Sequence, residues 1–231
     1  MFFSTSGFVQ PRLLHAMLLL VCFSGCGDRR DATFLEFRIT QDLDLIQSSE
    51  FKHPAQIAIW LEAPASGRTR TLFVTHCSAT GEWKGEAERP TALPRWFAVF
   101  KEEFGHLSLP RPGGGAPDAV TQATPRGARY CWRTEIEANS AWICWVEVNI
   151  SGDFNDQFPR RNEETGEIDT DSCGQPSLLY RCELTATRGA VYTPELFERT
   201  IPGTDGEVTT DLASITSARD ILESIEIRVA D

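Results

Sequence analysis

The chain has 231 residues, with 22 basic against 33 acidic side chains and a formal charge of −11 at neutral pH. Such an acidic surface repels phosphate backbones, and no basic run longer than Arg160-Arg161 offsets it, so nucleic acid is excluded as an expected partner. The length suits a single domain with its own core.

At the N-terminus one basic residue, Arg12, precedes the apolar run Leu13 to Phe23, which stops at Ser24-Gly25-Cys26. That run is short for a bilayer span, which needs about 20 apolar residues, and has the length of a signal-peptide core. Phe23-Ser24-Gly25-Cys26 resembles the bacterial lipobox, with Phe23 at the position usually held by Leu. The resemblance implies cleavage before Cys26 and acylation of Cys26 as the new N-terminus, an anchor in which each buried CH₂ contributes about 0.8 kcal/mol. Gly27 follows where Asp does not, which resembles the pattern sent to the outer membrane in Gram-negative bacteria. The expected organisation is a lipoprotein signal peptide over 1–25, a lipidated tether over 26–33 and one β domain over 34–231, outside the cytoplasm in the periplasm. An ordinary signal peptide cut nearby, leaving Cys26 an incidental thiol, is the alternative.

Beyond the tether the hydrophobic period is two, the sheet signature. Phe34 to Thr40 alternates Leu35, Phe37 and Ile39 against polar residues, and Gln56 to Glu62 sets Ile57, Ile59 and Leu61 on one face. Pro64-Ala65-Ser66-Gly67 then turns the chain into Arg70 to Thr75, a hairpin with a longer loop. A second hairpin is expected from Tyr130–Ile136 through Glu137-Ala138-Asn139-Ser140 into Trp142–Asn149. Leu178–Thr187 and Ser224–Val229 read as further strands, and Thr216-Ser217 caps a short helix at Ala218–Leu222. Gly113-Gly114-Gly115 and the segment from Gly152 to Ser172 read as loops. The fold class expected is mainly β, an immunoglobulin-like β-sandwich with long loops and one short helix near the C-terminus.

Beyond Cys26 lie Cys77, Cys131, Cys144, Cys173 and Cys182. Outside the cytoplasm thiols tend to pair, and an odd number leaves one over, for which Cys77 is the candidate. A symmetric second hairpin sets Cys131 opposite Cys144, with Cβ atoms about 4.5–5.5 Å apart, near disulfide range. Cys173 to Cys182, across Gly174-Gln175-Pro176, is the other expected bridge.

No Gly-x-Ser-x-Gly elbow, phosphate-cradling glycine loop or His-x-x-x-His pair occurs. His53, His76 and His106 are far apart, and His76 and Cys77, read as adjacent strand residues, point to opposite faces. Asp153, Asn155, Asp156, Glu163, Glu164, Asp169 and Asp171 offer oxygen ligands of the kind Ca²⁺ takes, without the spacing of a calcium-hand loop; a solvated acidic loop is the plainer reading. Among the tryptophans, Trp132 and Trp142 are expected to fill the core. Trp145 falls on the opposite face from Trp142, and exposed members of the set Trp60, Trp83, Trp96, Trp132, Trp142 and Trp145 are candidates to stack a sugar or a flavin.

From His53 to Val229 the chain resembles the bacterial family catalogued as domain of unknown function 2271. The carriers are Gln56-Ile57-Ala58-Ile59-Trp60-Leu61-Glu62, Thr71-Leu72-Phe73-Val74-Thr75, Trp83-Lys84-Gly85, Arg89-Pro90, Ala92-Leu93-Pro94-Arg95-Trp96 and Asp118 to Pro125. Val146-Glu147-Val148-Asn149, Gly152-Asp153-Phe154-Asn155 and Gln175-Pro176-Ser177-Leu178-Leu179-Tyr180 complete them. The resemblance implies a periplasmic protein with the immunoglobulin-like fold of flagellar hook-capping modules, and names no activity. Family members resemble proteins found beside flavin-transferase and other membrane redox components. Asp118 to Thr124 also resembles the motif read by extracytoplasmic flavin transferases, which implies FMN on Thr124 with Asp118 in the recognised turn. Gln122 stands where that motif has Gly, and a loop capped by the Asp118 side chain is the other reading.

The function expected is that of a lipid-anchored extracytoplasmic accessory module without catalytic activity or cofactor. Its expected partners are the membrane, through the anchor, and a protein of a periplasmic or outer-membrane assembly, which the resemblance implies is redox or flavin-related. An electron carrier with FMN on Thr124 and a carbohydrate-binding lipoprotein are the alternatives.

Overall fold

A computed structural model describes residues 32–80, 82–83, 86–87, 92–104, 120–122, 126–169 and 173–231. In chain order, the first strands are β1 (Ala32–Gln41), β2 (Gln56–Glu62), β3 (Thr69–Thr75), β4 (Glu82–Trp83), β5 (Glu86–Ala87) and β6 (Val120–Gln122). β7 (Arg129–Glu137), β8 (Ala141–Asn149), β9 (Leu178–Thr185), β10 (Val191–Tyr192), β11 (Glu195–Thr200), β12 (Val208–Thr209) and β13 (Leu222–Ala230) follow. Among the described residues three α-helices interrupt them: α1 (Leu43–Ser48), α2 (His76–Thr80) and α3 (Pro94–Phe104).

The strands form a sandwich of a four-stranded sheet, β10-β13-β1-β7, and a seven-stranded sheet, β12-β11-β9-β8-β2-β3-β6, with β4 and β5 paired separately. Pairing is antiparallel except between β3 and β6. The mainly β sandwich is therefore as the strand periodicity predicts.

Alternation decides what goes inside. Leu35, Phe37 and Ile39 of β1, Trp132 and Ile136 of β7, and Ile225, Ile227 and Val229 of β13 point across the interlayer. They meet Ile57, Ile59 and Leu61 of β2, Cys144, Val146 and Val148 of β8, and Leu178, Tyr180 and Leu184 of β9. Each such aliphatic or aromatic side chain contributes about 1.5–3 kcal/mol when fully buried. Trp132 lies between the layers, 4.2 Å from the Phe37 ring and 5.5 Å from that of Phe73.

The hairpin β2–β3 forms as predicted, with Ala58 opposite Val74. The second expected hairpin does not. β7 pairs with β1 in the smaller sheet, while β8 pairs with β2 and β9 in the larger one. The turn at Glu137–Ser140 thus carries the chain between layers, held where the Asn139 N–H donates to the Ala186 carbonyl at 2.9 Å. The two burial patterns fit these places: β7 is a one-faced edge strand with only Trp132 and Ile136 buried, whereas β8 is covered on both faces over Val146–Asn149.

The helices also depart from expectation. The C-terminal one is a single 3₁₀ turn, Ser217–Asp220, and Leu222 already opens β13. α1 is capped by Asp42, whose carboxylate accepts the Leu45 N–H at 2.9 Å. α3 is the one that shapes the site. Trp96, Val99 and Phe100 lie on one side of it and pack on Ala58, Trp60, Val74 and Leu179, which point away from the interlayer of the larger sheet. Among the described residues no helix is long and apolar enough to cross a membrane.

Candidate functional site

In β8 the inward set Cys144, Val146 and Val148 leaves Trp145, Glu147 and Asn149 on the outer face. Two of these outward side chains build distinct features, a buried clamp and an open aromatic cluster.

Glu147 is fully buried beneath the start of α3. Pro94 opens that helix and brings no N–H, and the next two orphan donors fall to the carboxylate: Arg95 N–H to Oε1 at 3.2 Å and Trp96 N–H to Oε2 at 2.6 Å. The Ser177 hydroxyl donates to Oε1 at 2.6 Å and stands 2.8 Å from the Thr200 hydroxyl, while Trp96 Nε1 donates to Thr71 Oγ1 at 3.2 Å. Burial pushes the Glu147 carboxyl up to about 7, against the pull of these donors and of the Arg95 charge.

A second knot ties the loop after β8 to the start of β9 and to the 3₁₀ turn. Asp153 accepts the Ser217 hydroxyl at 2.6 Å and Gln175 Nε2 at 2.8 Å, and Gln175 Oε1 accepts the Thr216 N–H at 2.7 Å. Asn149 Nδ2 donates to the Gln175 carbonyl at 3.0 Å. Burial raises the Asp153 carboxyl, opposed by its two donors.

The open cluster lies beside α3. Trp60 and Trp145 are register partners on β2 and β8 and their rings stack 6.2 Å apart. A bulge between Leu196 and Glu198 of β11 turns Phe197 outward, 43 % exposed, with its ring edge-on to Trp145 at 6.0 Å. The Arg181 guanidinium lies 5.6 Å from the Trp145 ring and 5.3 Å from that of Phe197. Glu62 accepts Trp145 Nε1 at 2.9 Å, and Glu183 pairs with Arg181 at 2.9 Å. The cluster thus joins two aromatic rings and one cation on a half-exposed surface with carboxylates at its rim.

A cavity of about 450 Å³ opens near the other end of the clamp, lined by Pro94, Phe158, Asp169, Cys173, Pro176 and Thr200 among others. Residues 170–172, between two of these, are outside the described residues.

Of the site residues predicted from sequence, Cys26, Asp118, Thr124 and Asp171 lie outside the described residues, as does the side chain of Trp83. Among the described residues the calcium candidates do not converge. Both Asp153 oxygens are engaged as above, Asn155 Oδ1 accepts the N–H groups of Gln157 and Phe158, Asp169 accepts the Gly174 N–H, and Asp156 is exposed. No group of three or more His, Cys, Asp or Glu suited to a metal occurs among the described residues.

The cysteine pairings are corrected. Cys131 is exposed on β7, and Cys144 is buried on β8 in the other sheet, opposite Cys182. Cys182 faces Cys144 across the β8–β9 ladder rather than Cys173, which precedes β9 and lines the cavity. No disulfide links the described cysteines. Cys77 and His76 open α2 rather than ending a strand. Trp132 is core as predicted; Trp142 is half-buried at the core's margin, with Nε1 donating to Ser140 Oγ. Sequence reasoning missed the Glu147 clamp and Phe197, although Pro94 with Trp96, Val99 and Phe100 at helical spacing carried a signal for α3.

Comparison with protein-family models, curated proteins and solved structures finds no match for this chain.

Proposed function

We propose that the chain is a non-enzymatic module, anchored outside the cytoplasm by lipid on Cys26, that docks a protein partner through the outer face of its larger sheet. The observation that carries this reading is the cluster of Trp145, Arg181 and Phe197, half-exposed beside α3. Tryptophan and arginine are the residues most enriched where binding energy concentrates, and Glu62 and Glu183 supply the polar rim such patches carry. Phe197 is displayed by a bulge, a device that aims a side chain rather than fills a core.

The resemblance to domain of unknown function 2271 supports the same reading. Trp60, Trp96, Glu147, Asn149, Asp153, Gln175 and Ser177 all come from the resembling segments, and they meet in the two knots that hold α3 and the loops. Their work is to hold the fold. The resemblance points to a membrane-associated redox or flavin assembly as the class of partner. A sugar is less suited to the cluster, because Trp145 and Phe197 meet at 62° and Arg181 lies against both rings, whereas sugar stacking uses an open ring face.

Hydrogen exchange tests the proposal, comparing the anchored protein in its native membrane with the same protein purified in detergent. Slower exchange is expected in the membrane, confined to β8, β9 and β11, and metabolic labelling with palmitate is expected on the unaltered chain and not on Cys26→Ser. Protection centred on the smaller sheet, or label retained by Cys26→Ser, overturns the proposal.

A further inference from the structure

β8 and β9 run antiparallel, and their register sets Cys144 directly opposite Cys182, with Leu61 of β2 on the far side of Cys144. Both side chains join the interlayer, Cys144 wholly and Cys182 at its margin. Opposed residues hold their Cβ atoms about 4.5–5.5 Å apart, and a disulfide closes at about 3.5–4.5 Å, so a small local shift suffices.

We propose that Cys144 and Cys182 are a cross-strand redox pair that closes to a disulfide by exchange with an oxidised dithiol or glutathione disulfide. The two sulfurs divide the work. Cys182 is half-buried, and its contact with Cys144 and the Arg181 charge lower its thiol against the opposing effect of burial. Cys144 is wholly buried, with its thiol pushed up by the contact with Cys182 and by burial. Cys182 is therefore the sulfur that meets the oxidant and Cys144 the one that resolves. The Cys182 thiolate attacks one sulfur of the accepting disulfide, forming a mixed disulfide and expelling one thiolate. Cys144 then loses its proton and attacks the Cys182 sulfur, expelling the second thiolate. Two protein thiols are oxidised to one disulfide, the acceptor is reduced to two thiols, and the two protons released pass to its thiolates.

The next register pair is Trp145 opposite Arg181, so the lock would lie directly behind the outer-face cluster and fix the two strands that display it. The redox proposal stands on the register and does not rest on that cluster having a partner.

The test is thiol mapping of the folded full chain after incubation with oxidised glutathione, with N-ethylmaleimide added under denaturing conditions before non-reducing digestion. The expected result is a linked peptide pair Cys144–Cys182, with a melting temperature raised by roughly 5–10 °C and restored by dithiothreitol. In Cys144→Ser the reaction is expected to stop at a glutathione adduct on Cys182. Recovery of both Cys144 and Cys182 as alkylated thiols, or of Cys182 linked to Cys131 or Cys173, overturns the proposal. Mapping of the unaltered chain decides the matter even if Cys144→Ser does not fold.

Discussion

Trp60 and Trp145 stand opposite each other on neighbouring strands, their rings 6.2 Å apart and 13° from parallel. Trp60 is buried under α3 and Trp145 is half-exposed beside it, so one stacked pair joins the covered and open parts of the same face. The residues proposed to dock a partner are thereby tied to the buried contact between α3 and the sheet.

That arrangement separates two substitutions. Trp145→Ala removes a ring stacked on Trp60 and a hydrogen bond to Glu62, and is expected to cost about 2–4 kcal/mol of stability. Phe197→Ala removes an exposed ring from a bulge and is expected to cost under about 1 kcal/mol while weakening partner binding. Urea unfolding of both variants checks the order; a larger loss for Phe197→Ala contradicts it.

The Glu147 clamp gives a pH dependence of definite sign. Burial raises this carboxyl from 4.5 to about 7 in the folded state. The folded state then holds a proton that the unfolded chain releases, so the contribution is fully present below the unfolded value and is lost as pH rises through about 7. Between about pH 4 and pH 8 the loss is on the order of 3 kcal/mol. Burial of Asp153 acts in the same direction. Glu147→Gln keeps an acceptor for the Trp96 N–H and is expected to flatten the slope. An unchanged slope in urea melts of Glu147→Gln would show that the dependence arises elsewhere.

Much of this fold was legible because period two is a local property. β1, the β2–β3 hairpin and β13 could be placed from alternation alone, and so could the outward direction of Trp145. Strand partnership is not local. The turn at Glu137–Ser140 reads the same whether the next strand pairs in the same sheet or crosses to the other, so the partner of Cys144 was misplaced. The continuous apolar stretch from Ala141 to Val146, set against the polar residues Arg133, Thr134, Glu135 and Glu137 of β7, was the available hint that the two strands belong to different sheets. Glu147 was invisible for a similar reason: one carboxylate in a strand looks like a solvated residue until a helix covers it.

Gly174 tests the second knot. It has φ of 73°, and a Cβ there would lie 2.4 Å from the Asp153 carbonyl oxygen. Gly189 has φ of 81° with nothing within 4 Å of a built Cβ. Gly189→Ala is therefore expected to cost about 1 kcal/mol of backbone strain, and Gly174→Ala roughly 3 kcal/mol or more because Asp153 must also move. Equal thermal shifts for the two variants would mean that the close approach carries no weight.

Ligand addition and removal discriminate the remaining alternatives. With the oxygens of Asp153 and Asn155 committed to protein donors, melting is expected to be indifferent to EDTA and to added Ca²⁺. The mature protein co-expressed with a flavin transferase is expected to keep its unmodified mass. A gain of one FMN, lost in Thr124→Ala, would instead establish the electron carrier.

The most direct measurement of the docking claim is photo-crosslinking from position 197 in the lipidated full chain within its native membrane, with Ile168, also exposed, as the control position. A discrete protein adduct is expected from position 197, lost with Arg181→Glu and not formed from position 168. Equal adducts from both positions, or none from position 197, would contradict it.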